Sequence, residues 1–172
     1  GHTASQSNLG YLYKHGEGVE QDIEVGMAWY RKAAKGGHPQ AQLNLANAYR
    51  SGVGETQNYT QALKWIKLAV AQGFAPATEV LGQMYYNGYG VKQDYATALR
   101  HYTSAASCGV IIAKFLIGQM YEMGVHVQKD LRTAAKWYKP AAKEGLASAQ
   151  LRLAMLYFHG DVVGRDYDTA AK

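Results

Sequence analysis

Apolar side chains recur along this chain at helical intervals of three and four residues, and the whole arrangement then repeats. Leu9, Leu45, Leu81, Ile117 and Leu153 stand 36 residues apart, and Tyr13, Tyr49, Tyr85, Tyr121 and Tyr157 keep the same step. So do Gly16, Gly52, Gly88, Gly124 and Gly160, and the capping series Asp22, Asn58, Asp94, Asp130 and Asp166. No insertion or deletion interrupts the pattern. A sustained period in this range predicts a solenoid whose units bury their apolar faces against their neighbours. The register frames repeats 5–40, 41–76, 77–112 and 113–148, with a partial fifth at 149–172. The expectation is one repeat domain, 1–172, cut from a longer array. Gly1-His2 reads as a remnant of tag cleavage.

Residues 41–76 show what one repeat encodes. Ala41, Leu45, Ala48 and Tyr49 form the inner stripe of a first helix, A, which ends near Gly52. Gly52 and Gly54 punctuate a short connection. Asn58 stands where an N-cap belongs, because its side chain can accept bonds from the orphan N–H groups of the first turn. Ala62, Trp65, Ile66 and Ala69 then line helix B, which Gly73 closes. The predicted pairs are 5–15/22–36, 41–51/58–72, 77–87/94–108 and 113–123/130–144, with a further helix at 149–159. Gly10, Ala46, Gly82, Gly118 and Ala154 hold one small position beside the large Leu/Ile, where a neighbouring helix can approach closely. Leu81 and Trp65 are expected core anchors.

The motif resembles the Sel-one-like repeat, a relative of the tetratricopeptide repeat. In the third repeat it stands as Ala77, Leu81, Gly82, Tyr85, Gly88, Gly90, Val91, Asp94, Tyr95, Ala98, Tyr102, Ala105, Ala106 and Gly109. The resemblance covers essentially all of 5–172. It implies an all-α fold, a right-handed α/α superhelix of antiparallel helix pairs, and a scaffold or adaptor role. Because members occur in bacterial exported and host-interaction proteins, it also leans toward an exported or periplasmic location. Four departures individualise the repeats: His101 at the Trp position, His126 at a loop glycine, Glu55 at a loop valine, and Gly26 at an alanine of helix B. On helix propensity alone, Gly26 should cost about 1 kcal/mol.

Composition narrows the function classes. Hydrophobic residues make up 48% of the chain, yet no apolar run approaches the roughly 20 residues of a membrane span, so direct membrane insertion is not expected. The formal charge is +5, with the basic residues scattered along the chain, which argues against a nucleic-acid partner. A single cysteine, Cys108, excludes an intrachain disulfide scaffold. His15, His38, His101, His126 and His159 lack metal-ligand spacing, and His101 reads as a substitute aromatic. Nucleophile elbow, P-loop and dinucleotide fingerprint are all missing. The repeated Asp series is explained by capping, and so is Asn58, although Asn58-Tyr59-Thr60 has the form of a glycosylation sequon. The chain therefore reads as a non-enzyme without cofactor or metal.

By analogy with tetratricopeptide solenoids, a protein or peptide partner would lie along the concave face of the A helices. The A-helix positions left over from packing form columns. One is Tyr11, Asn47, Gln83, Gln119 and Met155; a second is Lys14, Arg50, Tyr86, Glu122 and Phe158. A third is Ser7, Leu43, Glu79, Phe115 and Leu151, and a fourth His15, Ser51, Asn87, Met123 and His159. Their first three members are mostly polar or basic. Their last two supply Phe115, Met123, Leu151, Met155 and Phe158, which suit adaptable docking of a peptide. Two readings of that apolar set stay open: a binding surface, or packing beneath a following repeat. The alternative function is a structural spacer or assembly segment of a larger exported or envelope-associated complex.

Overall fold

The computed structural model describes residues 2–160. They form α1 (Thr3–His15), α2 (Ile23–Lys35), α3 (Pro39–Ser51), α4 (Tyr59–Ala71), α5 (Ala75–Asn87), α6 (Tyr95–Ser107), α7 (Ile111–Met123), α8 (Leu131–Lys143) and α9 (Ala147–His159). No strand occurs among the described residues. The fold is an all-α solenoid. The expected cap Asp166 lies outside the described residues.

Helix B begins where the caps said it would. The carboxyls of Asp22, Asp94 and Asp130 accept the N–H of Val25, Thr97 and Thr133, and Asn58 accepts that of Gln61. Helix A begins two residues before its expected start. The reason is an economy the apolar pattern hides. Each helix B ends in a Schellman motif: Gly37 N–H bonds Ala34 O at 3.0 Å and His38 N–H bonds Ala33 O at 3.0 Å. The same six-to-one bond runs from Phe74, Val110 and Leu146 to Ala69, Ala105 and Ala141. These four residues are also the N-caps of the following A helices. Only His38 caps with its side chain, to Ala41 N–H at 3.3 Å. One residue thus closes a helix and opens the next.

The other connection is pinned as well. The N–H groups of Asp22, Asn58 and Asp130 reach back to Tyr13, Tyr49 and Tyr121 O at 2.8–2.9 Å. Gln21, Gln57 and Gln93 add side-chain bonds to Lys14, Arg50 and Tyr86 O at 2.8–3.0 Å. In the fourth repeat the loop carries His126 at φ 64°, a left-handed conformation that its counterparts Gly18, Gly54 and Gly90 adopt without a Cβ.

The chain divides into two compact units, 1–93 with α1–α5 and 94–172 starting at α6. In the first, Met27, Tyr30, Ala33, Ala34, Ala41, Leu45 and Ala48 form one buried cluster, and Leu43, Ala46, Ile66, Val80, Leu81 and Met84 belong to the next. Leu81 is 4% exposed, as expected of an anchor. Trp65 is not one: it is half-buried and packs on the outside of both clusters. In the second unit Ala134, Ala135, Tyr138 and Leu156 centre the core, with Phe115, Tyr121, Leu131 and Leu153 against it.

Small residues are matched to what they face. A Cβ on Gly10 would stand 2.7 Å from the Tyr30 ring, and one on Gly118 2.5 Å from Tyr138. Where the second repeat has Ile66 in place of that tyrosine, it has Ala46 in place of the glycine, and both share one core cluster. Gly26 has a similar reason. Its Cβ would come within 2.9 Å of Gly10 O and Lys14 N, so the missing methyl lets α2 seat directly on the α1 backbone. The expected propensity cost is thus traded for close packing. Glu55 is likewise explained by its partner, the Arg31 guanidinium on α2 at 2.7 Å.

Candidate binding surface

The third column is not a free surface in the first unit. Ser7 is 4% exposed, Leu43 6% and Glu79 6%, and Leu43 shares its cluster with Val80 of the next A helix. This position packs one A helix on its successor. In the second unit Phe115 is half-buried and packs on helix B of its own repeat, with its ring centroid 5.4 Å from that of Tyr138. Leu151, by contrast, is 63% exposed.

The other expected site residues divide by unit. On α1, Tyr11 is exposed, and its hydroxyl donates to Glu17 at 3.0 Å while the His15 ring lies against it. That bond and the glutamate's charge push the phenol's pKa up. On α3 and α5, Asn47, Arg50, Gln83 and Tyr86 are all half-buried. Arg50 Nη2 donates to Asn47 Oδ1 at 3.3 Å, and Gln83 Nε2 donates to Glu79 Oε1 at 2.5 Å. Burial raises the Glu79 pKa, against the opposing pull of Gln83 and of the Arg50 charge. On α7 and α9, Gln119 is half-buried, while Met123, Met155 and Phe158 are between 42% and 54% exposed.

Sequence reasoning missed two features. Glu79 stood in a column taken for open surface, and only the stacking of α5 on α3 reveals that its carboxyl is buried. Glu122, in the second column, is occupied internally: it accepts from the Tyr138 hydroxyl and lies 3.5 Å from Arg152 Nη1. Burial and this glutamate together push the Tyr138 phenol far above its usual range. Neither feature has a signature in spacing, because each depends on another helix: α3 beside Glu79, and α8 and α9 for Glu122.

Among the described residues, no group of three or more His, Cys, Asp or Glu side chains could hold a metal ion, and no helix is long and apolar enough to cross a membrane. Cys108 is exposed.

The repeat model named Sel1 repeat matches residues 3–38, 39–74, 75–110, 111–146 and 147–172, each window opening on the first residue of an A helix. The chain belongs to the Sel1 repeat family. It is 34% identical to a Sel1 repeat protein from Oxalobacter formigenes, with a TM-score of 0.91 over 98% of this chain and 69% of that one. It is 37% identical to a protective antigen of uropathogenic Escherichia coli strains with an SLR fold, with a TM-score of 0.84. That match covers 98% of this chain and 36% of the antigen. An immunity protein from Pseudomonas aeruginosa is 25% identical at a TM-score of 0.67, over 99% of this chain and 61% of its own. No curated protein matches. Sel1 repeats are generally protein-interaction scaffolds and typically non-catalytic.

Proposed function

We propose that this Sel1 repeat chain is a non-catalytic scaffold that holds a peptide or partner protein along the outward-facing positions of its A helices. The observation behind this reading is the contrast between A-helix columns. The third is used for stacking in the first unit, while the first and second keep polar or tyrosine side chains from α1 to α7 and turn to the large, exposed Met155 and Phe158 on α9. Aromatic and methionine side chains of this kind adapt to a partner and tend to dominate binding energy. A photo-crosslinking residue introduced at Gln119 or Met155 should capture the partner in the source organism, and one at Lys67 or Lys136 on the B helices should not. Capture only from the B helices would remove this reading.

A second reading has its own support. Leu151 occupies the column that Leu43 uses for stacking, so part of the exposed apolar set on α9 fits an assembly contact with a further repeat. Such a contact would suit the alternative role, a spacer or assembly segment of a larger complex.

A further inference from the structure

Arg50 is held in a way that does not serve the fold. Its Nε is buried and has no hydrogen-bond partner, and its one side-chain bond, to Asn47 at 3.3 Å, is long. The buried Glu79 carboxyl on the next A helix is near enough to feel the guanidinium, yet among the described residues no ion pair joins them. Each of these groups bears a desolvation cost that a direct pair would offset. Instead, Glu79 is bonded by Gln83, and Arg50 is braced by Asn47. Places where a chain breaks a local rule without compensation tend to be functional.

The chemistry left over is weighted toward donors. Arg50 retains most of its five N–H groups, Asn47 Nδ2 keeps both of its own, and Gln83 Nε2 keeps one after bonding Glu79. Two of the acceptor oxygens are taken, Asn47 Oδ1 by Arg50 and Glu79 Oε1 by Gln83, which leaves fewer acceptors than donors. A half-buried cluster of donors around one guanidinium is made for an oxyanion. Its single positive charge, with a carboxyl at its back, suits a monoanion better than a phosphate dianion. A planar carboxylate also matches the guanidinium fork.

We propose that Arg50, braced by Asn47 and flanked by Gln83, is the receptor for a carboxylate carried by the partner peptide, either an acidic side chain or a free C-terminus. This rests on the A-helix reading above and sharpens it. Glu79 acts as the tuning group: it screens Arg50 enough to keep the empty site tolerable and limits the charge the site accepts.

The test follows the Arg50 Nε–H resonance by NMR in the whole chain. One probe is a blocked hexapeptide of alternating Ala and Glu, a second its Gln counterpart, and a third an Ala hexapeptide with a free C-terminus. Inorganic phosphate is the fourth. Saturable shifts of Arg50 and Asn47 are expected with the first or the third, identifying the carboxylate's source, and the Gln peptide should bind at least ten-fold more weakly. Arg50→Met should abolish the shifts of Asn47 while the chain keeps its helicity and gains or holds thermal stability. Glu79→Gln should tighten carboxylate binding several-fold. Equal binding of the Glu and Gln peptides, stronger binding of phosphate, or silence with both carboxylate peptides overturns the proposal. Crosslinking at Gln119 and Met155 would still succeed if the partner uses the A helices in another way, so the two ideas fail separately.

Discussion

Gly26 sets two rules against each other. Helix propensity says that Gly26→Ala should stabilise α2 by about 1 kcal/mol. The 2.9 Å approach to the α1 backbone says that the added methyl forces the helices apart, which costs about 1–3 kcal/mol in overpacked sites. A net loss in chemical denaturation is expected, and a gain would mean that α1 moves freely. Tyr30 gives a second test. Burial pushes its phenol up to about 12. Unfolded tyrosine loses its proton near pH 10, so the native state holds more protons in between, and stability falls as pH rises through that window. Tyr30→Phe should flatten the alkaline limb between pH 10 and 12 by an amount on the order of 2 kcal/mol. Glu79 works in the same sense at the acid end: its raised pKa lowers stability as pH climbs past the unfolded carboxylate value, and Glu79→Gln should remove that slope.

At the scale of elements, caps and core differ in weight. Leu81→Ala opens a cavity in a site that is 4% exposed and should cost about 2–5 kcal/mol. Asn58→Ala removes one bond to Gln61 N–H and should cost about 1 kcal/mol. Denaturation of both variants decides the packing register, which is wrong if the cap proves the costlier loss. The helices themselves were legible because capping and apolar spacing are local signals. The start of helix A was not: its N-caps are Phe74, Val110 and Leu146, which carry no capping chemistry and take their place from the Schellman bonds of the preceding helix. Interhelix pairs were equally silent. Gln72 reaches Gln42 at 2.8 Å in one repeat, and Lys114 reaches Glu144 at 2.8 Å in the same two positions of another. A neutral and an ionic bond hold one joint, so the ion pair, being surface-exposed, should contribute under about 1 kcal/mol.

For the whole chain, the period alone carried the fold class and the family, since five repeats in register leave little room for another architecture. The candidate surface was legible only as columns of residues. Columns on a helix tell which side chains share a face, but the neighbour that covers the face comes from another repeat; Leu43 and Leu151 hold one position and end up 6% and 63% exposed. A Met155→Asp, Phe158→Asp double variant separates the two meanings of that exposure. Retained helicity with lost crosslinking to the partner supports a docking face, whereas lost helicity assigns the pair to the core.

The residue shared by consecutive helices at His38, Phe74, Val110 and Leu146 also bears on how such a chain can change over generations. A residue added there would break the closing bond of one helix and displace the first turn of the next, while the pinned glycine loops resist change from the other side. Neither joint can absorb a single codon, so length is expected to vary in steps of a whole repeat, by duplication or loss. The unbroken 36-residue spacing is then the inherited trace of joints that reject partial edits.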